Sequence, residues 1–116
     1  WNLPNVSPST FQQKMKILGE HCRRENRDPA KIVKTLANMV VVAKTEEEAL
    51  ELAYESSFIQ KGNEGNYIIG NAEAVIERLA EYTKLGVKHF ILRFLDFPKV
   101  DGAKLFADRV VPAFIT

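Results

Sequence analysis

The stretch GVKHFILRF, residues 86–94, places two basic side chains within one short apolar run. Side chains of a β-strand point alternately to its two faces, so His89, Ile91 and Arg93 share one face. Burying either base without a partner would cost several kcal/mol. This face must therefore meet water, a counter-charge or a ligand. The opposite face is aromatic and aliphatic and suits packing against helices; it carries Phe90, Leu92 and Phe94.

Arg93 is the stronger candidate for chemistry because it lies near the carboxyl end of its predicted strand. Active sites of parallel α/β barrels lie at that end of the strands. A guanidinium can hold two oxygens of a carboxylate or phosphate at once, so we predict that Arg93 contacts an anion or a substrate. Two alternatives stay open, a structural ion pair with a carboxylate such as Asp96 and a plain surface position. We expect His89, deeper in the strand, to be a core histidine with a hydrogen-bond partner.

A second candidate site lies where Gly70 and Asn71 lead into a predicted helix. The first turn of a helix presents free N–H groups and the positive end of the helix dipole, which suit a phosphate. The competing interpretation of these two residues is an ordinary helix cap.

Composition and charge exclude several classes of function. The net charge of +1 gives no field that would attract nucleic acid. Cys22 is the single cysteine and neither histidine has a metal-ligand spacing, so we predict no disulfide and no metal site. The longest apolar stretch, residues 39–43, is far shorter than the roughly 20 residues of a membrane span. We expect a cytoplasmic protein with one domain, residues 1–116.

The elements that must position these side chains alternate between helix and strand. Ser7 before Pro8 marks a helix start, and Thr45 with Glu48 forms a capping box. Valine-rich strands separated by helices indicate right-handed parallel crossovers and the α/β class. The predicted strands are residues 33–43 and 86–94, with a short extended piece at residues 66–69 between them. The predicted helices start at residues 8, 46, 71 and 101, and the second runs to about residue 60.

Five stretches carry a family resemblance: Trp1 with Asn2, HCRRENRDPAKI (21–32), VVVAKTEEEALELA (40–53), IIGNAEAVIERLAEYTKLGVKHFILRFLD (68–96) and LFADRVVP (105–112). Taken in order, they resemble the C-terminal part of bacterial luciferase-like monooxygenases, most closely the alkanal monooxygenase-type or deazaflavin-dependent members. Two departures are Asn26, where the family has a glycine, and the helix start at Gly70 and Asn71, which lacks the usual hydroxyl and proline.

The resemblance implies the C-terminal portion of a TIM-like (β/α)8 barrel that binds reduced FMN or a deazaflavin coenzyme at its C-terminal mouth. The implied reaction oxidises a small organic substrate such as an aldehyde with reduced flavin and oxygen, or transfers hydride through a deazaflavin. Gly70 and Asn71 then become candidate cofactor contacts, and Arg93, Trp1 and Asn2 candidate substrate contacts. The alternative for Trp1 is a frayed terminus. The resemblance assigns no catalytic residue, and we expect the fragment alone to be inactive.

A partial barrel would leave strand edges and apolar faces uncovered, which favours pairing with another chain. We therefore expect a homo-oligomer or association with the remainder of a barrel. The alternative to an enzyme is a non-catalytic α/β interaction or assembly module derived from such a barrel.

Overall fold

The computed structural model describes residues 1–115; Thr116, the last residue of the predicted domain, lies outside the described residues. Strands and helices alternate along the chain, as predicted. The strands are β1 (Asn2–Pro4), β2 (Lys34–Val42), β3 (Ile68–Gly70) and β4 (Val87–Phe94). The helices are α1 (Pro8–Arg24), α2 (Glu46–Glu55), α3 (Ala72–Lys84) and α4 (Asp101–Leu105), the last continuing as a π turn (Phe106–Val110) and a 3-10 turn (Val111–Ala113).

Side-chain caps begin the first three helices where the sequence predicts them. The Ser7 hydroxyl accepts a hydrogen bond from the Thr10 N–H at 3.3 Å, and the Thr45 hydroxyl accepts one from the Glu48 N–H at 3.1 Å. The Asn71 carboxamide oxygen accepts one from the Ala74 N–H at 2.9 Å. Each bond satisfies a donor that the helix itself leaves without a partner.

Helix α2 ends at Glu55, and the prediction that it continues to about residue 60 is wrong. Ser56 already has an extended backbone, and its hydroxyl accepts a hydrogen bond from the Phe58 N–H at 3.0 Å. Serine side chains offer the backbone such an alternative to helical hydrogen bonds. Residues 56–66 consequently form a segment between α2 and β3 that is irregular up to a 3-10 turn at its end (Glu64–Asn66).

All four strands are parallel, which confirms the predicted α/β class with a parallel sheet. Strand β2 is central and pairs along one side with β4, in a register that places Met39 beside Arg93. Along its other side β2 pairs with two short strands, with β1 near its start at Thr35 and with β3 near its end at Val42. The residue patterns predict β2 and β4, and the short extended piece predicted at residues 66–69 corresponds to β3. Strand β1 has three residues, too few for a periodic pattern.

One face of the sheet, the helix face, carries the main core. Leu36, Val40 and Val42 of β2 point to this face. They pack with α1, α3 and the last helix through Phe11, Val75, Leu79, Tyr82 and Val110, all buried.

The opposite face is covered only at its C-terminal end. There Val41 and Ala43 pack beneath Ala49 and Ala53 of α2 and Ile59. The uncovered part, called the open face here, consists of Thr35, Ala37 and Met39 of β2 with His89, Ile91 and Arg93 of β4.

Exposure of the open face is high for a parallel sheet, since Ile91 is 56% exposed. Such strands are normally covered on both sides, and the valine-rich pattern of residues 33–43 predicts this for β2. Within residues 1–115 the prediction holds only near the C-terminal end of β2, where Val40 to Val42 are buried. The molecule is accordingly flat, with extents of 47 × 35 × 22 Å. Its radius of gyration is 15.3 Å. A globular domain of this length would have a radius of gyration of about 13 Å.

None of the helices in residues 1–115 is both long enough and apolar enough to cross a bilayer.

Candidate functional site

Arg93 lies on the open face, in the last residues of β4, and its side chain is exposed. Its guanidinium carbon is 5.6 Å from the centroid of the Phe58 ring. A cation at this distance is attracted by the electrons of the ring face. Phe58 belongs to the irregular segment 56–66, so this segment brings an aromatic side chain onto the open face beside the arginine.

Two sets of hydrogen bonds fix segment 56–66 to the rest of the chain. The Tyr54 hydroxyl of α2 donates to the Glu64 carboxylate, which also accepts from the Gly62 N–H at 2.6 Å. The hydrogen bond from Tyr54 lowers the pKa of Glu64, and the same bond raises the pKa of Tyr54. The buried Asn38 of β2 donates to the Asn66 carbonyl at 3.0 Å. Phe58 is therefore held by a segment with anchors on two elements.

Arg93 and Phe58 line an open cavity of about 470 Å³ at the C-terminal end of β4. The structure thus places Arg93 at a concavity, although whether it binds a ligand stays a prediction. We call this cavity the Arg93 groove. It is lined by Ser56, Ser57, Phe58, Arg93, Phe94, Leu95, Phe97, Lys99, Val100 and Ala103.

The ion pair considered between Arg93 and Asp96 does not form. The Asp96 carboxylate instead accepts a hydrogen bond from the Gly102 N–H at 2.8 Å, at the start of α4. A Cβ on Gly102 would lie 2.9 Å from both oxygens of that carboxylate, so glycine leaves it room to approach. Within the described residues one ion pair is found, between Arg109 and Glu73 at 3.1 Å.

His89 is exposed, so the expectation of a buried histidine with a satisfied ring is wrong. It lies beside Thr35, at the start of the paired strands. The prediction assumed that the strand is covered on both faces, but nothing in residues 1–115 packs over this part of the open face.

Gly70 and Asn71 lie at the C-terminal end of β3, level with Val42 of β2. Asn71 caps α3, so the ordinary role considered for it is present. Gly70 is buried with φ near +156°, and a Cβ there would lie 2.8 Å from the Ala74 Cβ. Packing inside the chain therefore accounts for the glycine, and a cofactor contact at these residues stays a prediction.

Trp1 points to the helix face, away from Arg93. Its ring centroid lies 5.4 Å from that of Phe11 in an edge-to-face contact, and its amino group donates to the Val33 carbonyl at 3.0 Å. Trp1 is thus anchored rather than frayed, and this orientation argues against its predicted place in a pocket wall with Arg93.

Asn2 lies on the same side of the sheet as Arg93 but at the opposite end of the strands. Its side-chain oxygen accepts a hydrogen bond from the Thr35 hydroxyl at 2.8 Å. Thr35 lies four residues before Met39, the neighbour of Arg93. That separation is about 13 Å along the strand at the usual rise per residue. The structure does not bring Asn2 to the Arg93 groove.

Three side chains of the groove were missed by sequence analysis, namely Phe58, Phe97 and Lys99. Phe58 falls within a predicted helix and the other two in a loop. A usable signal was the serine pair at residues 56 and 57 before an aromatic residue, since serines favour breaks in helices. In the part of the chain that the structure describes, no three His, Cys, Asp or Glu side chains gather as metal ligands.

No protein-family model matches the chain. Among solved structures, an F420-dependent secondary alcohol dehydrogenase in complex with an F420-acetone adduct matches 99% of the chain with a TM-score of 0.77 and 18% identity. A riboflavin lyase with modified FMN and riboflavin matches 97% with a TM-score of 0.71 and 14% identity. A monooxygenase from Streptomyces bottropensis matches 98% with a TM-score of 0.68 and 13% identity.

The chain covers 42%, 37% and 41% of these three proteins, respectively, so it spans about two-fifths of their length. At such low identity the likeness concerns the fold. The fold of this chain is thus shared with part of an F420-dependent dehydrogenase, a riboflavin lyase and a monooxygenase.

Proposed function

We propose that this chain is the C-terminal part of a luciferase-like barrel enzyme. The enzyme is an oxidoreductase that uses reduced FMN or a deazaflavin coenzyme on a small organic substrate such as an aldehyde. The observation that carries the proposal is the fold likeness over nearly the whole chain to enzymes that bind F420 or FMN. We place the enzyme in the cytoplasm.

The two unequal faces of the sheet support a partial barrel. In a (β/α)8 barrel the helices form an outer ring and the inner face carries the active site at the carboxyl ends of the strands. The helix face here corresponds to the outside of such a barrel and the open face to its inside. Arg93 then looks into the chamber at its mouth.

The start of α3 suits the phosphate of the proposed cofactor in charge and donors. The Asn71 side chain satisfies the Ala74 N–H, which leaves the N–H of the exposed Glu73 for a ligand. The Glu73 carboxylate would repel a phosphate, but Arg109 pairs with it. In the proposal, Gly70 and Asn71 form the rim of this site.

The bound cofactor would supply the redox chemistry, either with oxygen or by hydride transfer. The residues of this chain would bind and orient the substrate, with Arg93 holding an anionic group and Phe58 forming an apolar wall. Segment 56–66 would also keep water from that end of the chamber.

Completion of the barrel requires a partner, and we propose a second copy or the remaining barrel strands. Strand β4 pairs only with β2 among the described residues, so its other edge is free. The Leu95 N–H donates to the Val40 carbonyl of β2 at 3.1 Å. Because N–H directions alternate along a strand, those of Phe90, Leu92 and Phe94 point to the free edge.

Hydrogen exchange of these three N–H groups, measured over a range of protein concentration, tests the partner proposal. Association should slow their exchange while sedimentation shows a rising mass. A chain that stays monomeric, with rapid exchange of all three throughout, would contradict association through this edge.

Exposed apolar side chains also favour the second candidate, an assembly module without a cofactor, since Ile91 of the open face and Phe97 of the Arg93 groove are both exposed. Titration with FMN and with F420 separates the two functions. A chain with a usable cofactor site should quench the fluorescence of one flavin in a saturable way. An assembly module should leave both unchanged.

A further inference from the structure

We propose that the Arg93 groove binds a small organic anion with one negative headgroup and an apolar body, such as a medium-chain carboxylate. This names the substrate class of the proposed enzyme, and it rests on the proposed function only in placing the groove beside a cofactor.

The charges in the groove select an anion. Arg93 and Lys99 are the only ionisable side chains of its lining, and both are cations. The acids next to lining residues in sequence, Glu55, Asp96 and Asp101, line neighbouring cavities instead, which Lys99 also borders. Asp96 is also turned to the Gly102 N–H. No carboxylate in residues 1–115 forms an ion pair with Arg93. Its charge is therefore available to an external anion.

The position of Phe58 prepares Arg93 for a planar headgroup. A guanidinium attracted to a ring face, here at 5.6 Å, loses part of its freedom, and its N–H donors remain available in its own plane. Two parallel hydrogen bonds to a carboxylate use that arrangement. Lys99 adds a second, exposed positive charge at the same groove.

The other side chains that line the groove are mostly apolar and fit the apolar part of the proposed ligand. Phe97 is 80% exposed and Val100 is 50% exposed, which is unusual for large side chains of one small surface. Phe94 and Leu95 also line the groove. A chain or ring attached to the headgroup would cover these side chains. The volume of about 470 Å³ is in the range of small-molecule sites.

Calorimetric titration of the 116-residue chain with decanoate, without any flavin, tests the proposal. Decanol and decyltrimethylammonium have the same apolar body with a neutral and a positive headgroup. Decanoate should bind at least about tenfold more tightly than either, as expected for hydrogen bonds to charged groups.

Arg93→Gln should weaken decanoate binding by at least about tenfold, and Lys99→Gln by a smaller factor of about threefold. Arg24→Gln is the matched control, since Arg24 is an exposed arginine of α1 on the other side of the sheet. It should bind decanoate like the unmodified chain. Because Arg93 and Lys99 are both exposed, both variants should fold, and Trp1 fluorescence checks this.

Equal decanoate binding by the unmodified chain and by Arg93→Gln would overturn the proposal, as would equal binding of decanol. Loss of FMN binding in Arg93→Gln without loss of decanoate binding would also overturn it, because the groove would then hold the phosphate of the cofactor. Flavin quenching without Arg93-dependent decanoate binding would refute this inference and leave the proposed function intact. Arg93-dependent decanoate binding without flavin quenching would support this inference and contradict the proposed function.

Discussion

Replacing Tyr82 by phenylalanine removes a single oxygen, and we predict a measurable loss of stability. Tyr82 has no exposed surface, and its hydroxyl donates to the carbonyl of Val6 at 2.5 Å. This hydrogen bond joins α3 to the connection between β1 and α1. The ring also makes edge-to-face contacts with Phe11 and Phe90, at centroid distances of 6.1 and 6.4 Å, and phenylalanine would keep them.

The expected size follows from the burial of the two partners. A neutral hydrogen bond contributes about 1 kcal/mol, and a fully buried carbonyl left without a donor costs about 1–3 kcal/mol. Val6 is only half-buried, so water can replace part of the lost bond. Tyr82→Phe should therefore lower the free energy of unfolding by about 1–2 kcal/mol. Tyr54→Phe is the matched control, because its hydroxyl bond lies at the surface and its loss should lower stability clearly less than Tyr82→Phe does.

Urea denaturation followed by the fluorescence of Trp1 measures both values. Trp1 is the single tryptophan and packs on Phe11 in the same core as Tyr82. An equal loss in the two variants, or no loss in Tyr82→Phe, would refute the reasoning about burial.

The stability of Tyr82→Phe should also depend on pH differently from that of the unmodified chain. Burial raises the pKa of Tyr82 above the ordinary value of 10.0. The stability gained from the neutral phenol is complete below pH 10 and decreases as the pH rises toward the raised pKa of the folded state. The stability of the unmodified chain should thus fall above pH 10 more steeply than that of Tyr82→Phe. Parallel curves would contradict this assignment.

Two further predictions concern backbone packing and the anchor of segment 56–66. Gly70→Ala should lower the free energy of unfolding, measured in urea, by at least about 2 kcal/mol, because the added Cβ would clash with Ala74 and the backbone φ is positive. Gly19→Ala should instead stabilise α1 by about 0.5–1 kcal/mol, because an added Cβ there has nothing within 4 Å. Equal effects of the two substitutions would contradict this geometry. In an NMR titration the Glu64 carboxyl should titrate below the ordinary glutamate range, and Tyr54→Phe should move it upward, because the pKa of Glu64 is lowered mainly by that hydroxyl. The stabilising contribution of this bond is present at neutral pH and is lost only as the pH falls through the lowered pKa; an unchanged midpoint in the variant would exclude the bond.

Much of the helical framework could be predicted because its signals are local. Ser7, Thr45 and Asn71 each cap a helix within three residues of their own position, and that chemistry does not depend on distant parts of the chain. The end of α2 was missed because Ser56 competes with the helix through its own side chain. Strand β3 could be predicted only as a short extended piece and β1 not from any pattern, because their pairing with β2 depends on distant parts of the chain.

The candidate site was predicted only in part, for a similar reason. The alternation along β4 placed Arg93 correctly on an apolar strand with a polar face, but it could not say what covers that face. His89 and Arg93 carry the same kind of signal, and both are exposed. The groove itself combines residues from β4, segment 56–66 and the loop before α4, which meet only in the folded chain.

The central claim is that the open face of the sheet belongs to a flavin-binding chamber. Its most direct test is a fluorescence titration of FMN, and separately of F420, with the 116-residue chain at concentrations where sedimentation detects association. The account predicts saturable quenching of one of the two flavins. Unchanged fluorescence of both, with the chain folded and associated, would contradict it.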